Sequence, residues 1–294
     1  MKILIYGSKG WIGSQICQYL EQKTNAIIYH GESRVDDEGS IENEIQQINP
    51  SHIMCLIGRT HGKIGDKVFS TIDYLEQEGK LVENIRDNLY GPIALALLCQ
   101  KYKIHLTYLG TGCIFEYDSE HPFGLEENGF TEKDKPNFFG SSYSVVKGFT
   151  DRLMHYLEEN VLNLRIRMPI TSKTNSRNFI TKITNYKKIC NVPNSMTVLD
   201  DIIPIMVDMM TKKVTGTVNM VNPGLISHNE ILEMYRELVD PNFKWENFTI
   251  EEQNEILCAK RSNNYLDTTK LESMYPQVKN IKDAVRNVLE KYDK

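Results

Sequence analysis

The chain has 294 residues, 40% of them hydrophobic and 25% charged, with a net charge of −5. This is the balance of a globular protein with ample core, and its acidic sign argues against a nucleic-acid partner, which calls for a basic face. Six cysteines, at 17, 55, 99, 113, 190 and 258, form no CxxC pair, so neither a metal site nor a disulfide framework is expected.

"KILIYG" reads as a strand, "WIGSQICQYLEQK" as a helix and "AIIYH" as a second strand. "SIENEIQQINP" reads as a helix with Ser40 as N-cap, ended by Pro50. "HIMCLIG" is a third strand, 78–102 a long helical pattern and "IHLTYLG" a fourth strand. A helix around 143–159 leads to the strand "NLRIRMP". These strands are continuous apolar runs, as in a parallel sheet covered on both faces. The alternation predicts an α/β fold: a Rossmann-type, doubly wound parallel sheet with a smaller α/β C-terminal lobe for substrate. The division expected is 1–168 for the dinucleotide domain, with 198–220 returning to it, and 169–197 with 221–294 for the substrate lobe. Helices are expected near 199–212, 227–238 and 280–292, the second capped by Ser227, with the strand "GTVNMVN" between the first two. Trp245 and Phe248 read as packing residues of the small lobe. "MKILIYG" lacks the pattern of a secretory signal, and no apolar run approaches the roughly 20 residues of a membrane span, so a cytoplasmic, membrane-free protein is expected.

The first strand runs into Gly7, Ser8, Lys9, Gly10, Trp11, Ile12 and Gly13. The G-x-x-G-x-x-G spacing lets backbone approach a pyrophosphate at a helix N-terminus. A plain tight turn is the competing reading. After the second strand come both Glu32 and Arg34. A carboxylate there suits a ribose 2′-OH and an arginine a 2′-phosphate. The reading adopted is NADPH through Arg34, with NADH the alternative and a solvated loop charge the plain account of Arg34.

Tyr143 and Lys147 in "SSYSVVKG" are spaced i, i+4, on one helix face. An ammonium beside a phenol lowers its pKa and equips it to protonate a carbonyl oxygen. An amphipathic surface pair is the usual reading of YxxxK, but this one lies one βα step after "GTG". The arrangement resembles the extended short-chain dehydrogenase/reductase superfamily. That resemblance implies a strand-end hydroxyl at Thr111, with Thr107 as the alternative inside the strand. It also implies a nicotinamide-ribose contact for Lys147, cofactor contacts for Tyr143 and Asn88, and a structural Asn-x-x-Gly made by Asn88 with Gly91.

"TGCIFEYD", "EKDKPNFFGSSYSVVK", "LRIRMPI", "RNFITKI", "PNSMTVLDD", "NPGLISHNEILEMY", "FKWENFT" and "RSNNYLD" resemble, more closely, the bifunctional nucleotide-sugar 3,5-epimerase/4-reductases. Those enzymes make UDP-L-rhamnose from UDP-4-keto-6-deoxy-glucose. The likeness runs from Gly7 to the last helix and departs from plant members over 59–80. It implies a nucleotide-sugar substrate supplied by a separate 4,6-dehydratase, and a second chemistry in the same pocket. Carbons 3 and 5 flank the C4 ketone, so their protons are acidic and an enolate can form. In the related GDP-4-keto-6-deoxy-mannose epimerase/reductases a cysteine two residues after the strand-end Ser works with a His. Here Cys113 stands two residues after Thr111, and the resemblance makes Lys182 its partner. A thiol and a partly desolvated lysine both exchange protons near neutrality. The plain reading of Cys113 is a buried small hydrophobe.

The resemblance further implies sugar-nucleotide contacts from Asn178, Arg261, Val192 and Met196. An arginine fork suits a diphosphate, although a surface ion pair is the plain reading of Arg261. Glu116 and Tyr117 are candidates for the sugar hydroxyls. A homodimer through helices near 80–100 and 143–159 is expected. Three other readings stay open: a 4-reductase acting only on dTDP-4-keto-L-rhamnose, a GDP-fucose-type epimerase/reductase, and a non-catalytic NADP-binding regulatory subunit.

Overall fold

The computed structural model describes residues 1–293. Strand β1 (Lys2–Tyr6) leads through a glycine turn into α1 (Trp11–Lys23), followed by β2 (Ile27–His30), α2 (Glu38–Ile48) and β3 (His52–Cys55). A hairpin of β4 (Gly62–Ile64) and β5 (Lys67–Phe69) comes next, then α3 (Leu81–Ile85), a π turn over Arg86–Tyr90 and α4 (Gly91–Tyr102). Strand β6 (His105–Thr111), α5 (Ser142–Met154) and β7 (Val161–Ile166) complete the alternation. The later elements are α6 (Phe179–Thr184), β8 (Lys188–Cys190), α7 (Leu199–Thr211), β9 (Gly216–Asn219), α8 (His228–Leu238), β10 (Glu246–Phe248), α9 (Ile250–Ile256), α10 (Thr269–Met274) and α11 (Ile281–Leu289).

The main sheet has the order β2-β1-β3-β6-β7-β9. Its strands run parallel, with Ile5 opposite Met54 and Met54 opposite Thr107. Every residue of β3 is buried, which is why these strands read as unbroken apolar runs. The Rossmann-type α/β class expected from the sequence is borne out. The chain packs as two compact units: Met1–Thr111, Ser142–Arg165 and Ile203–Val218 form the first, and Gly112–Ser141, Ile166–Ile202 and the chain from Asn219 onward form the second. Leu4, Ile53, Leu95, Cys99, Leu106 and Met154 belong to the core of the first. Ile180, Ile189, Met196, Ile231 and Val285 belong to that of the second, with Trp245 packed against it.

Local chemistry corrects two expectations. Helix α2 is capped by Asp37, not Ser40: the Asp37 carboxylate accepts from the Ser40 N–H, placing Ser40 inside the first turn. Aspartate is as good a cap as serine, and it comes first in the chain. The helical pattern over 78–102 is not one α-helix but two joined by the π turn. Ser227 does cap α8, in a capping box with Glu230. The β4–β5 hairpin was not expected, although Gly65–Asp66, the two residues between the paired Ile64 and Lys67, are a tight-turn pair, and Gly65 takes φ +56°. Among the described residues no helix is long and apolar enough to cross a membrane, and no cluster of His, Cys, Asp and Glu could hold a metal.

Candidate active site

In the first unit, Gly7 takes φ +84°, a conformation that glycine alone adopts cheaply, and turns the chain at the end of β1. A Cβ on Gly13 would stand 2.2 Å from the Gly7 carbonyl oxygen, so only glycine lets α1 start this close to the turn. Ser8 is buried and Lys9 exposed, while Gly10, Trp11 and Ile12 are partly exposed. The result is a bare-backbone cradle at a helix N-terminus, which fits a dinucleotide pyrophosphate. Beyond β2, Arg34 is exposed and paired with Asp36 at 2.9 Å. Glu44 organises this loop by accepting from the Glu32 N–H (2.8 Å) and the Tyr6 hydroxyl (2.8 Å). Sequence reasoning passed over Glu44, which carries no motif.

Asn88, wholly buried, accepts from the Arg59 N–H (2.8 Å) and donates to the Arg59 carbonyl (2.9 Å) and to Asn84 (2.8 Å). Its amide ties the chain after β3 to the helix beneath. Asn84 in turn donates to the Ser142 hydroxyl (3.2 Å), and Glu76 accepts from the Ser142 N–H (2.7 Å), holding the first turn of α5. Tyr143 follows directly and is partly exposed, while Lys147, one turn on, is 4% exposed. Lys147 donates to the hydroxyl of Tyr108 on β6. Thr111, at the end of the same strand, is buried. Asp151, a further turn along α5, forms a two-pronged pair with the fully buried Arg165 of β7 at 2.8 Å on each side.

In the second unit Cys113 is partly exposed, between the buried Gly112 and Ile114. The Asn264 amide donates to the carbonyls of Gly112 (3.0 Å) and Phe115 (2.9 Å), gripping the backbone on both sides of the thiol. A Cβ on Gly112 would meet the Arg167 stem at 2.9 Å. The Arg167 guanidinium, 1% exposed, donates to Asn194 Oδ1 (2.8 Å), the Ser262 carbonyl (2.8 Å) and the Asn264 carbonyl (3.1 Å). It thereby ties the 192–196 and 261–266 segments together. Neither Asn264 nor Arg167 was singled out from sequence, because their partners lie tens of residues away.

Tyr117 donates to the Pro193 carbonyl (2.9 Å), which brings it to the Val192–Met196 segment, and burial pushes its phenol up to about 12. Glu116 is exposed, with its N–H bonded to Asn137. Val192 and Met196 are buried, Met196 within the apolar core of the unit. Asn178 is also wholly buried. It caps α6 through the Ile180 N–H (3.2 Å) and donates to the Thr171 and Lys173 carbonyls. Lys182 lies on α6, where burial first, and then the charges of Arg177 and Arg261, hold its ammonium below the usual lysine range. Lys182 and Arg261 are therefore neighbours electrostatically. Arg261 donates to the Ala259 carbonyl (2.7 Å).

The chain is 59% identical to the L780 UDP-rhamnose synthase of Acanthamoeba polyphaga mimivirus, whose crystal structure superposes with a TM-score of 0.94 over 99% of both chains. It is 46% identical to a bifunctional dTDP-4-dehydrorhamnose 3,5-epimerase/dTDP-4-dehydrorhamnose reductase of Arabidopsis thaliana, over 96% of this chain and 90% of that one. A trifunctional UDP-glucose 4,6-dehydratase/UDP-4-keto-6-deoxy-D-glucose 3,5-epimerase/UDP-4-keto-L-rhamnose-reductase of the same plant is 43% identical over 97% of this chain, which spans 41% of its length. The resemblance drawn from the motifs is borne out. Residues 3–186 match the model of the NAD dependent epimerase/dehydratase family, and the chain belongs to that family.

Proposed function

We propose that this protein is a bifunctional enzyme that epimerises C3 and C5 of UDP-4-keto-6-deoxy-D-glucose and reduces C4, using NADPH, to give UDP-L-rhamnose. The observation that carries the proposal is the 59% identity to a UDP-rhamnose synthase across 99% of both chains. The glycine cradle and the Tyr143–Lys147 helix face support the reductive half, and Cys113 and Lys182 support the epimerising half.

In the reductive half, Gly7 to Gly13 receive the pyrophosphate, and Arg34 offers its guanidinium to a 2′-phosphate. A bound nicotinamide supplies hydride for C4. Thr111 orients the C4 carbonyl by hydrogen bond, and Tyr143 gives its phenolic proton to the oxygen as charge builds there. Lys147 places positive charge beside that phenol, favouring its ionised form. Asn88 acts by bracing the loop after β3.

In the epimerising half, one of Cys113 and Lys182 removes the proton beside the ketone and the other returns one to the opposite face. A lysine with a lowered pKa keeps a neutral fraction able to act as base. Arg261 holds the diphosphate, and Tyr117 and Glu116 meet the sugar. Asn178 serves by capping the helix that carries Lys182. The keto sugar comes from a separate 4,6-dehydratase, and the working form is a homodimer through the helices near 80–100 and 143–159.

The test is incubation with UDP-4-keto-6-deoxy-glucose in D2O, with and without NADPH, and NMR of the product. Deuterium at C3 and C5 and the L-rhamno configuration at C4 are expected. Cys113→Ala should abolish formation of the epimerised product while NADPH still binds. Normal rhamnose formation by Cys113→Ala would remove the epimerase assignment.

A further inference from the structure

Lys147 is an ammonium buried to 4% exposure, and burial of a charge is costly unless the group is partnered. Its Nζ donates to the hydroxyl of Tyr108 and stands 4.5 Å from the centre of that ring. Tyr108 lies on β6 opposite Cys55 of β3 and is 1% exposed. Both of these neighbours stay neutral. Burial raises the Tyr108 phenol well above its ordinary 10, and burial pushes the Cys55 thiol up to about 11. Asp151, the carboxylate one turn further along α5, is engaged two-pronged by Arg165.

A carboxylate beside Lys147 would hold it in place and cancel its charge. A neutral phenol holds it in place and leaves the charge intact. The phenol uses one N–H of the ammonium, and an ammonium has three.

We propose that Tyr108 is a positioning residue: its hydroxyl fixes the Lys147 ammonium without neutralising it, so that the remaining N–H groups and the charge are aimed at Tyr143 and at the ribose of a bound dinucleotide. This rests on the role given to Lys147 above. It adds a residue that no short motif contains, 39 positions away in the chain.

The experiment is a double-mutant cycle on NADPH binding by fluorescence titration, with wild type, Tyr108→Phe, Lys147→Met and the double variant, each checked for its melting temperature. Tyr108→Phe keeps the ring and removes only the oxygen. It should weaken NADPH binding about tenfold, the scale of a hydrogen bond to a charged group, and lower kcat alongside. In the Lys147→Met background the same substitution should change nothing. An equal loss in both backgrounds, or none in the first, overturns the inference. If Lys147→Met itself binds NADPH normally, the role given to Lys147 falls and Tyr108's role falls with it. If Lys147→Met binds weakly and Tyr108→Phe normally, only the inference falls. Tyr108→Leu, also without an acceptor, takes the place of the phenylalanine variant should that one not fold.

Discussion

Asp151 and Arg165 form a two-pronged ion pair, with both N···O distances 2.8 Å, beneath the helix face that carries Tyr143 and Lys147. The spacing 143, 147, 151 is i, i+4, i+8, so the three side chains share that face. Asn163 also donates to the Asp151 carboxylate at 2.9 Å. The pair ties α5 to β7 one turn beyond Lys147.

Asp151→Ala leaves the wholly buried Arg165 without its carboxylate. Removal of one partner from a buried pair costs about 3–5 kcal/mol. The urea midpoint should fall accordingly, and NADPH binding should weaken with it because α5 loses its anchor. A midpoint equal to that of the wild type would show that the pair does not hold the helix.

Gly13→Ala puts a methyl 2.2 Å from the Gly7 carbonyl oxygen, with backbone on both sides of the clash. The turn must open, and the N–H groups that would meet a pyrophosphate move apart. NADPH affinity should drop by at least about tenfold, the worth of one lost hydrogen bond to a charged group. Fluorescence titration reads this directly, and unchanged affinity would argue that the glycine turn is only a turn.

Lys182 has a lowered pKa, chiefly from burial and then from the charges of Arg177 and Arg261. Arg177→Gln removes one like charge, so the Lys182 pKa should rise toward its ordinary value. A base with a higher pKa needs a higher pH to be neutral. The pH profile of deuterium exchange at C3 and C5 should therefore shift to higher pH. A shift the other way would mean that Lys182 is not the group being titrated.

His52 and His105 face each other across β3 and β6, with ring centres 5.7 Å apart. Burial holds His52 at about 4 and lowers His105 as well. Both are neutral in the folded protein near pH 7, whereas in the unfolded chain they take up protons near about 6.5. The stability they contribute is fully present above about 6.5 and is lost as pH falls through the folded values. The urea midpoint should drop between pH 7 and pH 5, and His52→Gln should flatten that slope. A slope unchanged by the substitution would assign the acid sensitivity to other groups.

Much of the architecture was legible in contiguous residues. Unbroken apolar strands separated by helical periods specify a parallel, doubly wound sheet. Ser227 and Glu230, three positions apart, announce their own helix start. Tyr143 and Lys147 share a face because four residues make about one turn. These signals act over a few bonds, so the order of residues alone carries them. Where two local signals compete, as Asp37 and Ser40 do for one cap, hydrogen bonding in the folded chain chooses between them.

The rest depends on which distant segments meet. Asn264 grips the backbone around Cys113 from about 150 positions away, Arg167 ties 194 to 262–264, and Tyr108 receives Lys147 from a neighbouring element. Asn264 lies in "RSNNYLD" and Arg167 in "LRIRMPI", yet nothing in either stretch says which distant backbone it will hold. The role of each comes from burial, which makes an unpaired polar group costly and so selects the partner that satisfies it. The amino-acid order therefore determined by itself the alternating strands and helices of the main sheet, the Ser227-capped helix and the local chemistry of the glycine turn and the Tyr143–Lys147 face. Tertiary packing decided what orients them, because only strand register and the exclusion of water make one hydrogen bond across 39 or 152 residues better than all its alternatives.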